Sequence, residues 1–371
     1  MTLTDTLFFG EILAAIIYSA ILFYLWLGLK KLRAGRNEKQ KMVSVIVAAR
    51  NEEKNLLNCL HALTRQNYPH DLFEIIIIND RSEDTTGEII RGFCERQPNA
   101  TWIEIPKTRR SASPKKWALS QGIDRAAGEI LCFTDADCEP SPAWISEIVR
   151  CFEPDVEMVA GFSPLISEKK NFPGGIIELD SLAASTLAAA ALGQGRGVTC
   201  NGRNLAYTKK IYQTVNGFQK IAHSLSGDDD LFLHLVQAEK PGSVRFCLSP
   251  GSIVPAQRLT GIRAFLRQRR RHISAGGKYP FGIKLGYFFY HASNFVLFTG
   301  FLLSGFENQN FLWAFAVLSA KFFGDFFVIY NFTKLMNYRK PLRYWFAWEF
   351  YFYFLNSFVG PTSFVGKVKW K

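Results

Sequence analysis

Acidic side chains recur where apolar runs end, and those carboxylates are the residues of this chain best placed to do chemistry. The β-branched run at 43–49 is followed by Arg50, Asn51 and Glu52, and the run at 74–78 by Asn79, Asp80, Ser82 and Asp84. The run at 130–134 ends in Asp135-Ala136-Asp137, and Gly227-Asp228-Asp229-Asp230-Leu231 opens a further apolar segment. Two carboxylates one residue apart can share a divalent ion; Mg²⁺ or Mn²⁺ takes oxygen ligands and commonly bridges a diphosphate. Ser82 or Asp84 alone would read as a helix cap. Three consecutive carboxylates at 228–230 exceed what a helix dipole asks for. Acids brought to one rim repel unless cations or ligand donors compensate. The expectation is therefore that these scattered side chains gather around one divalent cation.

Bringing them together requires a particular architecture. Residues 42–49, 74–78, 101–105 and 130–134 read as strands, and 52–66, 84–95 and 115–127 have helical spacing. Strands alternating with helices imply an α/β fold whose mostly parallel sheet is covered on both faces. Ligands in such sheets bind beyond the carboxyl ends of the strands, where the polar residues fall. A phosphate loop of the G-x-x-x-x-G-K-[ST] type is absent, and the glycines at 193–197 have the wrong spacing for a dinucleotide fingerprint and read as a loop. The seven cysteines contain no C-x-x-C pair and the six histidines no H-E-x-x-H, which argues against a His/Cys metal site and for reduced thiols in the cytosol.

Several motifs, in order, resemble the family 2 glycosyltransferases, which have the GT-A fold. Val43-Ser44-Val45-Ile46-Val47-Ala48-Ala49-Arg50-Asn51-Glu52-Glu53 is similar to the family's first strand and nucleotide loop, and Ile78-Asn79-Asp80-Arg81-Ser82-Glu83-Asp84 to its second. Lys115-Lys116-Trp117-Ala118-Leu119-Ser120-Gln121-Gly122 resembles its K-x-x-A-L-N-x-G helix, with Ser120 where Asn is usual, and Phe133-Thr134-Asp135-Ala136-Asp137 its metal motif. Gln268-Arg269-Arg270-Arg271-His272 resembles Q-x-x-R-W, with His272 in place of the indole. The likeness runs from about residue 42 to 275 and implies a Rossmann-like GT-A domain with membrane helices at both ends.

It also implies roles. Arg50, Glu52, Asp80, Lys115 and Asp135 would contact the donor, as would Gln268, Arg269 and Arg271, and Asp135 and Asp137 would hold Mg²⁺ or Mn²⁺. Asp228 aligns with the general base, although Gly227 replaces the Glu of the family's Glu-Asp pair; Asp229 is the alternative. Asn201-Gly202-Arg203-Asn204-Leu205-Ala206-Tyr207 resembles the acceptor-side segment, which places Gly202, Asn204 and His272 near the acceptor; a plain buried strand is the alternative reading. The donor would be a UDP- or GDP-linked sugar and the acceptor a lipid or glycan, with inversion at the anomeric carbon. Polymer synthesis and a non-catalytic scaffold of the same fold are the competing readings. Sugar, nucleotide, acceptor and oligomeric state cannot be read from these residues.

The flanks speak for a membrane. Residues 7–29 form an apolar run of about 23 residues, long enough to span. Lys30, Lys31, Arg33, Arg36, Lys39 and Lys41 follow it and put residue 30 onward in the cytosol by the positive-inside rule. Further apolar runs lie at 285–306, 311–332 and 344–364, and the last reads as either spanning or interfacial, because a full span would carry Lys367, Lys369 and Lys371 outside. Lys321, Asp325 and Glu349 lie inside these runs and are expected to form a polar cluster; snorkelling of Lys321 is the alternative. On a helical projection of 262–273, Ile262, Phe265, Leu266 and Ile273 share one face and the arginines the rest, the pattern of an interfacial helix. The expected organisation is an N-terminal membrane helix at 1–30, a cytosolic catalytic domain at 42–257, an interfacial helix at 258–278 and C-terminal helices at 285–364, in a multi-pass protein of the plasma (inner) membrane. Membrane flanks account for the net charge of +12 without nucleic acid, for which no module is visible.

Overall fold

The computed structural model describes residues 3–106, 113–166, 171–257, 269–270, 273, 276–307, 311–355 and 357. The expected strands form as β1 (Val43–Ala49), β2 (Phe73–Asn79), β3 (Ala100–Glu104) and β4 (Ile130–Asp135). Further along come β5 (Met158–Ala160), β6 (Leu165–Ile166), β7 (Leu205–Thr208), β8 (Val244–Phe246) and β9 (Ala256–Gln257). Seven of them make one sheet in the order β3-β2-β1-β4-β7-β5-β8, and β6 pairs with β9 apart from it. Every pairing in the large sheet is parallel except those of β7, which runs antiparallel to β4 and β5. This is the mostly parallel, doubly covered sheet that the alternating pattern predicts.

The two faces of β1 enter different cores, as the period-2 alternation of a strand requires. Val43, Val45 and Val47 pack with Leu56 and Leu60 of α2 (Leu56–Thr64), Ile90 of α3 (Thr86–Cys94) and Ile148 of α5 (Trp144–Cys151). Ile46 faces the other side, with Ala118, Leu119 and Ile123 of α4 (Pro114–Arg125). α2 starts four residues later than its spacing suggests. The backbone N–H of Glu52 is taken by the Thr86 hydroxyl (2.8 Å) and that of Glu53 by Asp84 (3.3 Å), so the first residues of the segment bind the neighbouring loop rather than a helix.

The core containing Ile46 continues into the membrane helices. α6 (Phe172–Gly193) lies between the sheet and α1 (Leu3–Lys31), and the same core contains Leu25, Leu29 and Phe332. α6 is itself long and apolar enough to cross a bilayer, but 78% of its apolar stretch is buried inside the protein. It is therefore a helix of the interface between sheet and bundle. It meets α1 closely: a Cβ on Gly28 would stand 2.0 Å from the Ala190 carbonyl oxygen, and one on Gly193 would stand 2.0 Å from that of Gly28. After α7 (Lys209–Thr214) and α8 (Asp230–Glu239), the C-terminal apolar runs become α9 (Phe281–Glu307), α10 (Phe311–Leu335) and α11 (Trp345–Phe354). Among the described residues, the helices long and apolar enough to cross a membrane are Phe8–Lys31, α6 and α10. α11 has 10 residues, about 15 Å of helix, which is half the thickness of a hydrocarbon core. The remainder of the run to residue 364 lies outside the described residues.

The ionisable residues of the bundle come together. Lys321 bonds Asp325 (3.0 Å) and Glu349, and Tyr18 of α1 donates to Asp325 at 2.9 Å. All four are buried, so Lys321 does not snorkel. The cluster ties α1, α10 and α11, and removing one partner of such a buried group typically costs about 3 kcal/mol. Glu349→Gln is expected to lower the thermal midpoint of the detergent-solubilised protein; an unchanged midpoint would show that the bundle is held by packing alone.

Candidate active site

The carboxyl ends of β1, β2 and β4 lie side by side, with Ala49 opposite Asn79 and Ala48 opposite Asp135. Arg50, Asn51 and Glu52 therefore share a rim with Asp80 and with Asp135-Ala136-Asp137. The first two loops are stitched together. The Asn51 N–H donates to the Ser82 hydroxyl (3.1 Å), and the Glu83 N–H donates to the Asn51 amide oxygen (2.8 Å). Asp80 is buried and ion-paired with Arg81 (2.8 Å), which adopts the left-handed region at φ 59°. Burial first, and then Asp135 beside it, push the Asp137 carboxyl up to about 6; Arg203 pulls the other way.

The antiparallel strand closes this rim from the opposite side. Leu205, at the start of β7, pairs with Phe133 near the end of β4, so the loop of residues 201–204 enters beside Asp135. Gly202 donates its N–H to Asp229 at 3.1 Å. The Asp229 carboxylate also caps α8 through the Asp230 N–H (2.8 Å).

Lys115, on the first turn of α4, joins the two halves. Its Nζ lies 3.0 Å from Asp135 Oδ1 and 3.1 Å from Asp228 Oδ2. Burial opposes its charge, but Asp135 and Asp228 outweigh burial and hold it as an ammonium. Ala48, Lys115, Asp135, Gly202 and Asp228 line one pocket over Leu119, Phe133, Leu205 and Tyr207.

The consecutive carboxylates have different environments. Burial pushes Asp228 up, but Lys115 and Lys116 outweigh it and the net direction is down. Burial, Asp230 and Asp228 push Asp229 up to about 7. Asp230 turns inward and accepts from the Thr199 hydroxyl (2.9 Å), the Cys200 N–H (2.8 Å) and the Tyr279 hydroxyl.

Residues 44–213 match the family model described as Glycosyl transferase family 2. That stretch, just under half of the chain, is similar to the family 2 glycosyltransferases. Glycosyltransferase AglE of Haloferax volcanii is 33% identical over 120 residues, which are 32% of this chain and 38% of that protein. Beta-monoglucosyldiacylglycerol synthase of Trichormus variabilis is 30% identical over 134 residues, which are 35% of this chain and 28% of that protein. The alignments thus span less than two-fifths of the length of either relative. The solved mannosyltransferase PcManGT of Pyrobaculum calidifontis, in complex with GDP-Man and Mn²⁺, superposes with a TM-score of 0.59 at 19% identity, covering 94% of this chain and 98% of that one. That likeness establishes the GT-A fold.

The structure qualifies some expected roles. Among the described residues, no single group of three or more acidic side chains is placed around one ion. Asp80 has Arg81 and Asp228 has Lys115, while Arg203 opposes the upward shift at Asp137 without cancelling it. Asn204 is fully buried and both of its amide hydrogens are used: it donates to the carbonyls of Phe162 (2.9 Å) and Ser252 (2.8 Å) and accepts from Trp144 Nε1 (2.9 Å). It pins the start of β7, and its burial keeps it from the surface that an acceptor would reach. Arg269 is ion-paired with Asp180 of α6 and lies beside Tyr351 of α11. Gln268, Arg271 and His272 lie outside the described residues, as does most of the expected interfacial helix.

The donor set at Asp135 and Asp137 suits a divalent cation that the substrate helps to hold. Among the described residues, no group of three or more His, Cys, Asp or Glu side chains is placed to bind an ion. Two carboxylates, one of them with its proton affinity raised by burial and then by its acidic neighbour, fit Mg²⁺ or Mn²⁺ completed by phosphate oxygens. The sequence also leaves some residues of the site unmarked. Arg203 sits in the Asn-Gly-Arg-Asn segment and Lys116 adjoins Lys115, so both were within reach of motif reading. Tyr279 has no local signal, because only the fold brings it to Asp230.

Proposed function

We propose that this protein is an inverting, metal-assisted glycosyltransferase that moves a sugar from a nucleoside-diphosphate donor to a membrane-associated acceptor, a lipid or lipid-linked sugar, at the cytosolic surface. The observation that carries this is Lys115, whose single ammonium reaches both Asp135 on the donor side and Asp228 on the acceptor side. Donor and base are thereby held within one short span. In the transfer, the acceptor hydroxyl oxygen forms a bond to the anomeric carbon while the bond from that carbon to the diphosphate breaks, its electron pair leaving on the phosphate oxygen. Asp228 takes the hydroxyl proton, a contribution typically of 10²–10⁴-fold. Lys115 meets the charge that develops on the diphosphate. A divalent ion on Asp135 and Asp137 would add Lewis-acid stabilisation of the same leaving group.

The GDP-Man and Mn²⁺ in the neighbouring mannosyltransferase support the donor class and the metal. The monoglucosyldiacylglycerol for which the Trichormus synthase is named supports a lipid acceptor, and so does a core continuous with α1 and α10. The positive flank after α1, from Lys30 to Lys41, supports a cytosolic position for the domain.

Membranes containing the protein, incubated with a panel of labelled UDP- and GDP-sugars, are expected to transfer label into the lipid extract with inverted anomeric configuration. Label found in high polymer would replace the acceptor assignment. A retained configuration would remove the single-displacement mechanism, and absence of transfer from any donor would remove the enzymatic reading.

A further inference from the structure

Lys116 is buried to 2% exposure, yet among the described residues it has no carboxylate partner within bonding distance. Lysine is almost never fully buried unless paired. Its Nζ instead donates to the carbonyl oxygens of Ser224 (2.6 Å) and Ser226 (2.8 Å). The carbonyl between them, that of Leu225, accepts from the Ser113 hydroxyl at 3.0 Å. Three consecutive backbone carbonyls are therefore held by the first turn of α4. Residues 224–227 belong to no helix or strand, so their carbonyls depend on such partners.

The segment leads directly into the carboxylate block. Gly227, at φ 90°, reverses the chain, and Asp228 follows. A Cβ on Gly227 would come within 2.5 Å of the Leu231 side chain, so the far end of the turn is fixed as well. Neighbouring lysines thus grip one turn in different ways: Lys115 takes the Asp228 carboxylate and Lys116 takes the main chain before it.

We propose that Lys116, assisted by Ser113, is a positioning residue that sets where Asp228 presents its carboxylate to the acceptor hydroxyl. The inference rests on the base assignment above. A displacement of about 1 Å at a reacting group can cost on the order of 10²-fold in rate. Lys116 also contributes charge. Asp228 and Asp229 face it, as do Lys115 and Lys278, and its ammonium helps keep the Asp228 carboxyl ionised. Removing that charge moves the base's proton affinity up.

The test uses the full-length protein as wild type, Lys116→Met and Ser113→Ala. Amide hydrogen exchange over residues 224–228 is expected to accelerate in both variants without nucleotide. In Lys116→Met, kcat should fall ~10–100-fold while the donor KM stays close to wild type. The acid limb of its pH profile should move to higher pH. Ser113→Ala removes one bond and no charge, so kcat should fall less and the acid limb should stay in place; it carries the test if Lys116→Met does not fold. Unchanged exchange in both variants, or faster exchange with wild-type kcat, would overturn the proposal. A wild-type protein that transfers no sugar would sink the functional reading instead, and the exchange arm would still decide whether Lys116 and Ser113 hold the turn.

Discussion

Asp137→Ala is expected to abolish Mn²⁺-dependent transfer, with a loss on the order of 10³-fold, while the protein stays folded. Asp137 is one of the two carboxylates that the proposed metal assignment uses, so its removal leaves Asp135 as the remaining proposed ligand. Burial first, and then Asp135 beside it, raise the proton affinity of this side chain, so its loss relieves a buried charge and its repulsion from Asp135. The thermal midpoint should hold or rise. Binding of the free nucleoside diphosphate separates the ion's contribution from the rest of the site. Mn²⁺ should strengthen binding to the wild type and have little effect on the variant. Undiminished Mn²⁺-dependent turnover in Asp137→Ala would remove the metal assignment.

Asp228→Asn should preserve donor binding and reduce kcat by ~10²–10⁴-fold, the usual range for losing a general base. Asp229 is the competitor, and the two differ in the proton affinity expected of each. Lys115 and Lys116 hold Asp228 below the ordinary value of 3.8, whereas burial and its acidic neighbours push Asp229 up to about 7. A base must be unprotonated to act, so activity is lost as pH falls through its pKa. With Asp228 as base, kcat/KM of the wild type should stay level as pH falls from neutral and drop only below the ordinary carboxylate range. With Asp229 as base, the drop would begin near pH 7. Geometry favours Asp228, which faces the pocket, while both oxygens of Asp229 are engaged by backbone N–H groups. A wild-type acid limb near pH 7, with Asp229→Asn inactive and Asp228→Asn active, would reverse the assignment.

The bundle cluster shows how far residue type and spacing can reach. Lys321 and Asp325 stand four apart in an apolar run, a spacing that places both on one helix face, and a charge left alone there is costly. That cost made a partner necessary, and Glu349 was the remaining acid in the C-terminal runs. Tyr18 was not foreseeable, because it comes from α1, 307 residues away in sequence. The carboxylate rim shows the opposite case. Motif order placed Asp80, Asp135, Asp137 and Asp228 correctly on strand ends and a helix start, but a divalent ion was asked to neutralise all of them. The side-chain cations that do part of that work, Arg81, Lys115 and Arg203, act through short distances that spacing does not encode. Asn204 was misread for a related reason: a buried structural amide and an acceptor contact look alike until its burial is known.

Sequence by itself determined the period-2 apolar strands, the helices between them, the membrane-length runs and the acids that follow each strand. These are local consequences of side-chain chemistry and backbone geometry. Only the tertiary structure decided that β7 runs antiparallel and brings residues 201–204 to Asp135, that α6 is buried between sheet and bundle, and that Lys115 spans the two carboxylates while Lys116 holds the turn between them. Those outcomes depend on which surfaces pack together. Burial and short-range electrostatics set them between residues that local sequence patterns do not connect, such as Lys116 and Ser224, 108 positions apart.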